Sequence, residues 1–132
     1  MPPTSIIPVL AYDDVEKAID WLCTVFGFTE RWRAGNHRAQ LNFGNGTIVV
    51  TAYSGIREPG TGQSHSLMVR VENVDSHYEN ARKHGALILH LPAEFPYGEK
   101  QYSVQDIGGH VWMFTESVKD VDVEDWGGSL PG

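Results

Sequence analysis

Side chains that could do chemistry are few in this 132-residue chain, and they are scattered along it. His77 and His84 stand seven residues apart and could share one face of a helix, but no carboxylate accompanies them as in most metal sites. We interpret them as a solvated pair. Cys23 borders the apolar stripe of a predicted helix with no histidine placed to activate it, which indicates an inert, buried thiol. His110 follows two glycines and is expected to be a polar turn residue.

Composition and known motifs exclude several classes of function. The sequence has no Walker loop, no Gly-x-Gly-x-x-Gly after a strand and no serine nucleophile elbow, so nucleotide and acyl-transfer chemistry are unsupported. With 17 acidic and 10 basic residues the formal charge is −7, which argues against a nucleic-acid partner. The first ten residues have neither a basic region nor a long apolar run, so we expect no signal peptide, no membrane partner and a cytoplasmic location. The single cysteine fits that expectation.

Two strands joined by a tight turn are predicted in residues 97–116. Tyr102 and Val104 alternate with polar residues at the period of a half-buried strand. The pair Gly108 and Gly109 permits the positive backbone dihedrals that a hairpin needs. A short strand over 111–114 then follows the turn.

Two amphipathic helices belong to a faint internal repeat. The first is predicted to begin with a capping box of Asp13 and Glu16 and to end at Gly27. The second is predicted from Asn73 to Gly85. Their apolar stripes are Val15, Ala18, Ile19, Leu22 and Phe26 in the first, and Val74, Tyr78 and Ala81 in the second. A strand precedes each helix, so we predict two copies of one supersecondary unit.

The remaining strands and the boundaries follow from alternation and from glycine-rich turns. Further strands are predicted over 29–33, 37–43, 47–53, 65–71 and 87–91. We expect a single domain over residues 1–132, with a first module at about 5–53, a linker at 54–64, a second module at about 65–117 and a tail at 118–132. The tail, which contains Trp126, is expected to be a solvated end rather than a lid or a partner contact.

The hairpin resembles the closing hairpin of the glyoxalase/bleomycin-resistance/extradiol-dioxygenase group, the vicinal-oxygen-chelate superfamily. That hairpin usually reads Tyr-Gly, Tyr, then Asp-Pro-x-Gly-x-x-Trp-x-Phe, whereas Ile107 follows Asp106 here in place of proline. The resemblance covers almost the whole chain. It implies an α+β fold of paired βαβββ modules, with a curved mixed sheet around a concave ligand pocket and helices on the outer face. It also implies a homodimer.

The resemblance places metal ligands of the metal-dependent members at four positions. In this chain those positions carry Ile7, about Val50, Ser66 and Met113, none of which is a good ligand for a divalent metal. His65 and Glu116 lie nearby, but each is displaced by an odd number of residues, which turns a strand side chain to the opposite face. We therefore expect no cofactor. If a metal such as Ni, Zn, Fe or Mn is present, then the fallback ligands are His65, Glu116 and His110.

The pocket of the resembled family gives the candidate ligand-binding residues. Strand alternation predicts that Trp112 and Phe114 pack against the helices. It places the following residues on the pocket side of the sheet: Ile7, Val9, Ala11, Ile48, Val50, Ser66, Met68, Arg70, Val111, Met113 and Thr115. Arg70 needs an acceptor there, either an internal acid or a ligand anion. Five further residues on strands of undetermined facing could stack or hydrogen-bond at the rim: Trp32, His37, Arg38, Gln101 and Ser103.

Three hypotheses of function follow. We prefer a metal-free binding protein that sequesters a small aromatic or cationic molecule, as the drug-resistance members of the resembled superfamily do. The first alternative is a metal-dependent lyase, isomerase or dioxygenase that acts on vicinal oxygens. The second is an interaction or regulatory module with a vestigial pocket. The sequence leaves open whether any catalysis occurs.

Overall fold

The computed structural model describes residues 4–53 and 65–118, together with residues 122, 127 and 128. The predicted linker, Trp126 and most of the tail lie outside these described residues. The helices are α1, Val15–Trp21, which continues as a π-helical segment, Leu22–Phe26, and α2, Val74–Lys83. The strands are β1 Val9–Tyr12, β2 Thr29–Ala34, β3 Arg38–Phe43, β4 Gly46–Ala52, β5 Leu67–Arg70, β6 Leu87–Phe95, β7 Glu99–Gln105 and β8 Val111–Ser117. No helix in the described part is long and apolar enough to cross a membrane.

The chain forms two compact units with the same topology. The first is Met1–Gln63 with Asp106–His110, and the second is Ser64–Gln105 with Val111–Gly132. Their sheets have the strand orders β1-β4-β3-β2 and β5-β8-β7-β6. In each sheet the first and last strands of the module pair in parallel and all other pairs are antiparallel. The predicted α+β fold of two βαβββ modules is therefore confirmed.

The first helix begins one residue later than predicted. Asp14, not Asp13, is the N-cap, and its side chain accepts a hydrogen bond from the Lys17 amide at 3.1 Å. The helical segment ends at Gly27 with φ 90°, which confirms the left-handed cap. Neighbouring aspartates at 13 and 14 offer the same capping group, so spacing alone did not fix which of them caps the helix.

The first sheet has a helix face and a far face, the far face being the one that points away from α1. Leu10 and Tyr12 are buried on the helix face, whereas Val9 is 56% exposed on the far face. The register pairs Val9 with Val49 and Leu10 with Val50, and paired residues share a face. The helix-face core of this sheet consists of Leu10, Tyr12, Ala39, Leu41, Ile48 and Val50.

The second sheet packs its helix face on α2, as predicted. Trp112 and Phe114 are fully buried on that face, and the Phe114 ring lies 4.0 Å from the His77 ring. The Nδ1 of His77 shares a hydrogen bond with the Tyr102 hydroxyl at 2.5 Å. The expectation that His77 and His84 form a solvated pair is therefore wrong for His77, because its ring belongs to the helix-sheet interface.

The turn from Asp106 to His110 belongs to the first unit. The Oδ1 of Asp106 accepts hydrogen bonds from the backbone amides of Gly108 and His110, both at 2.9 Å. Gly109 has φ 89°, as the predicted glycine turn requires. The Nε2 of His110 donates to the carbonyl oxygen of Ala11 at 2.8 Å, because a carbonyl can only accept. His110 is thus a turn residue with a structural hydrogen bond.

Candidate functional site

A row of polar side chains crosses the far face of the first sheet. Trp32 lies opposite Gln40, and its indole Nε1 donates to the Gln40 Oε1 at 2.9 Å. The Nε2 of Gln40 donates to the Asn42 Oδ1 at 3.3 Å, and the Thr47 hydroxyl donates to the same oxygen at 3.0 Å. Gln40 is fully buried, while Trp32 is 38% exposed. The network holds an indole ring that a flat ligand can stack on.

The far face of the second sheet carries thioethers, amides and hydroxyls. Met68 lies opposite Met113, and Ser103 lies opposite Met113 on its other side. Met68 is 63% exposed. Thioethers adapt to the shape of apolar ligands, so this face suits flexible apolar contact. Met68 and Met113 share one face, as the alternation predicted, and Ser103, whose facing was left open, lies on that face too.

Arg70 has an internal acid as its partner. Its guanidinium lies 3.3 Å from the Oε1 of Glu99, and the Thr115 hydroxyl donates to that oxygen at 3.2 Å. The side chain of Arg70 is 65% exposed, and that of Glu99 is 16% exposed. Arg70 was predicted to need either an internal acid or a ligand anion as its acceptor, and Glu99 is an internal acid in that role.

Two aromatic rings lie on the same far face, where β6 ends and the turn to β7 follows. Phe95 and Tyr97 stack with ring centroids 5.5 Å apart and an interplanar angle of 14°. The Tyr97 hydroxyl donates to the Oε1 of Gln101 at 3.2 Å. Gln101 is buried and lies opposite Thr115, on the face that also carries Arg70. Gln101 therefore orients an aromatic side chain at this end of the sheet.

Several candidate residues occupy other places than the alternation predicted. Val50 is fully buried in register with Leu10, so Val50 and Ile48 are core residues on the helix face and not on the face of Val9. The central strand is buried on both sides, which hides the alternation in its sequence. Ile7 and Ser66 precede β1 and β5, and His37 lies in the turn before β3. Arg38 is exposed on the far face, opposite Thr51.

The residues proposed as fallback metal ligands have other environments. The Oε1 of Glu116 accepts from the backbone amide of Val74 at 2.9 Å and so caps α2 on the helix side of its sheet. His65 is exposed before β5. His110 is bonded to Ala11 in the first unit. Among the described residues no group of three or more His, Cys, Asp or Glu side chains could hold a metal ion.

Side chains on the far faces also do not fit a divalent metal. The described strand residues of the first far face are Val9, Ala11, Thr29, Trp32, Ala34, Arg38, Gln40, Asn42, Thr47, Val49 and Thr51. These are aliphatic, hydroxyl, amide, indole and guanidinium groups, none of them the imidazole, thiolate or carboxylate that Zn, Ni or Fe sites use. The second far face carries one carboxylate and one imidazole among its described strand residues. The carboxylate of Glu99 is engaged by Arg70, and the Nδ1 of His90 is bonded to the carbonyl oxygen of Leu91.

Burial lowers the acidity of two hydroxyls and one thiol. Burial, helped by the neighbouring Asp106 carboxylate, holds the pKa of Tyr12 far above its usual value. Burial likewise raises the pKa of Tyr102. Cys23 is half-buried rather than buried as predicted. Its pKa is raised by this partial burial and then by the charges of Glu30 and Asp20, so the thiol is a poor nucleophile at neutral pH.

A small groove lies where α1 begins, apart from the far face. It has a volume of about 180 Å³ and is lined by Tyr12, Asp13, Asp14, Lys17, Ile107 and Gly108. Pockets for drug-sized ligands hold roughly 300 to 1,000 Å³. The groove is too small for such a ligand, and we assign it no role.

Gln40, Asn42 and Thr47 were not among the site residues predicted from the sequence. A signal for two of them was present, because polar residues at 38, 40 and 42 alternate with Ala39, Leu41 and Phe43 over the length of β3. That pattern is typical of a strand with one polar face. Glu99 was also overlooked, since its pairing with Arg70 joins strands that are not adjacent in the sheet.

Comparison with known proteins agrees with this architecture. The family model for the Glyoxalase/Bleomycin resistance protein/Dioxygenase superfamily matches residues 6–114. The crystal structure of TioX from Micromonospora sp. ML1 is 31% identical in sequence, with a TM-score of 0.72, over 89% of this chain and 99% of TioX. No curated protein matches the sequence.

Two more distant structures share the fold. A glyoxalase/bleomycin resistance protein/dioxygenase from Nocardioides is 17% identical with a TM-score of 0.73, over 99% of this chain and 91% of its own. Lactoylglutathione lyase from Agrobacterium tumefaciens is 16% identical with a TM-score of 0.64, over 88% of this chain and 96% of its own. From the extent of the family match, the chain belongs to the glyoxalase/bleomycin resistance protein/dioxygenase superfamily.

Proposed function

We propose that this chain is a metal-free binding protein that holds a small aromatic or cationic molecule against the far face of its first sheet. The observation that carries the proposal is the Trp32 indole, which is 38% exposed and is fixed by its hydrogen bond to Gln40. An aromatic ring that is already oriented loses little conformational freedom when a ligand stacks on it.

The donor groups of the same face support binding without a metal. Its described strand residues offer amides, hydroxyls and a guanidinium, which orient a ligand through hydrogen bonds but do not activate water or polarise vicinal oxygens as a metal does. Tight binding without turnover is the behaviour that such a surface supports. The exposed thioether of Met68 and the stacked rings of Phe95 and Tyr97 suit the same class of ligand on the second sheet.

The test is a titration with two flat three-ring dyes, neutral acridone and the 9-aminoacridinium cation, followed by dye fluorescence. We expect at least one dye to bind, to be recovered chemically unchanged, and to bind roughly tenfold more weakly to Trp32→Ala, because a stacking contact is lost. Leu91→Ala, at an exposed position of β6 in the second unit, is the matched control and should bind as the wild type does. Chemical conversion of the dye, or equal binding by Trp32→Ala, would overturn the proposal.

A further inference from the structure

We propose that the hydrogen bonds of Trp32, Gln40 and Thr47 make Asn42 a donor toward the ligand, so that the ligand is a flat aromatic molecule carrying a hydrogen-bond acceptor rather than a cation. This inference rests on the proposed function, because it concerns the same face of the first sheet. It narrows the proposed ligand from an aromatic or cationic molecule to an aromatic molecule that carries a hydrogen-bond acceptor.

The direction of the network is set at Trp32. An indole N–H can donate a hydrogen bond but cannot accept one. Gln40 must therefore turn its carbonyl oxygen toward Trp32, as the 2.9 Å contact between Nε1 and Oε1 shows. The amide nitrogen of Gln40 then points along β3, toward Asn42. Because Gln40 is fully buried, no water competes to reverse it.

The orientation of Asn42 follows from that of Gln40. The Nε2 of Gln40 can only donate, so the atom of Asn42 that faces it is Oδ1, at 3.3 Å. The hydroxyl of Thr47 donates to the same oxygen at 3.0 Å. Two donors occupy the two lone pairs of Oδ1, which directs the amide nitrogen of Asn42 away from both.

The amide nitrogen of Asn42 is available to a ligand. Within the described residues it has no hydrogen-bond partner, and no buried side-chain nitrogen or oxygen there lacks one, so this nitrogen reaches the surface. Asn42 and Gln40 are two residues apart on one strand and hence about 7 Å apart along the sheet. A fused two-ring or three-ring molecule stacked on Trp32 spans that distance.

The positive charge of Arg38, on the same face of β3, also favours a ligand that carries an acceptor. Arg38 occupies the alternate position on the other side of Gln40, on the same far face, and it is exposed. A guanidinium carries five N–H donors and no acceptor. Arg38 and Asn42 therefore both offer donors, and Arg38 repels a cation. An acceptor such as a ring carbonyl satisfies this row, whereas an ammonium group does not.

The experiment compares acridone, which has a ring carbonyl, with the 9-aminoacridinium cation, which has the same ring system but only donors. We expect wild-type protein to bind acridone about tenfold more tightly, the difference that one hydrogen bond makes. Asn42→Asp keeps an acceptor for Gln40 and Thr47 but replaces the donor with an anionic oxygen, so the preference should reverse. Asn36→Asp, in the exposed β2–β3 turn, makes the same charge change and should keep the wild-type preference.

A second measurement does not depend on any variant folding. In nitrogen-15 NMR spectra of the wild type, acridone should shift the side-chain amide signal of Asn42, and the cation should not. Equal affinity for the two dyes with an unmoved Asn42 signal would overturn this inference and leave the proposed function standing. Absence of binding by either dye would overturn the proposed function, and this inference with it.

Discussion

The hydroxyl of Tyr12 donates a hydrogen bond of 2.5 Å to the Oδ2 of Asp106, a residue 94 positions later in the chain, and the pair is buried in the first unit. The other carboxylate oxygen, Oδ1, accepts from two backbone amides of the turn that follows. The Tyr12 ring meets the His110 ring edge to face, with centroids 4.9 Å apart. One carboxylate thus holds both the end of β1 and the turn.

Replacing Tyr12 with Phe should lower the free energy of unfolding by about 1 to 3 kcal/mol, because it leaves a buried carboxylate oxygen without its donor. Urea denaturation followed by circular dichroism measures the change. Tyr78→Phe is the control, since Tyr78 packs on Tyr102 through its ring, and it should cost less than about 0.5 kcal/mol. Equal losses in the two variants would show that the Tyr12 hydroxyl does not support the fold.

Stability should fall as the pH rises above about 10. The pKa of Tyr12 is raised in the folded state by burial and by Asp106, while in the unfolded chain it lies near 10. Above that pH the unfolded state releases a proton that the folded state keeps, so the free energy of unfolding decreases by up to about 1.4 kcal/mol per pH unit for each such tyrosine.

Tyr102, whose pKa burial also raises, contributes in the same direction. Denaturation at pH 8, 9, 10 and 11 tests this dependence. The variant Tyr12→Phe should show a shallower slope than the wild type above pH 10. A slope that is unchanged by the substitution would mean that Tyr12 titrates alike in both states.

Gly108 is required by its closeness to Tyr12 rather than by its backbone angles. A Cβ added at this position would overlap the Tyr12 ring. We expect Gly108→Ala to cost about 1 to 3 kcal/mol of stability through overpacking. In a double-mutant cycle the same substitution should cost less when Tyr12 is already Ala. Strict additivity of the two changes would exclude the steric explanation.

Glu116 should behave as a helix cap and not as a metal ligand. Its Oε1 accepts from the Val74 amide at the start of α2, so Glu116→Ala should destabilise the protein by about 1 to 3 kcal/mol. Glu116→Gln keeps an acceptor oxygen and should lose much less. Thermal denaturation of both variants, at fixed pH and with and without added divalent metal, makes the comparison. If added metal stabilised the wild type but not Glu116→Gln, then Glu116 would be a metal ligand, which would contradict the capping role.

The sequence predicted the fold well because its signals were local. Asn73 and Gly27 cap helices through contacts with neighbouring residues, and Trp112 and Phe114 alternate with less buried residues on their strand. The same reasoning failed for Val50, because β4 is buried on both faces and its sequence does not alternate. The face of the sheet on which Val50 lies is decided by the pairing of β4 with β1, which is a long-range feature.

The candidate site was harder to predict than the fold. Trp32 lies beyond a bulge in β2, which shifts the register after Glu30 and changes the facing of every later residue in that strand. The polar face of β3 can be recognised from its alternation, but the pairing of Gln40 with Trp32 becomes visible only once that register is known. Arg70 could be recognised as needing an acceptor, but its partner Glu99 lies on β7, two strands away in the sheet.

Metal stoichiometry tests the central claim most directly. Protein purified without a chelating tag would be exposed to nickel, zinc, iron and manganese salts, dialysed, and subjected to elemental analysis. We expect no metal to be retained near one ion per chain, because the described residues bring together no group of three or more His, Cys, Asp or Glu side chains that could hold it. Retention of one ion per chain would contradict the proposed metal-free function.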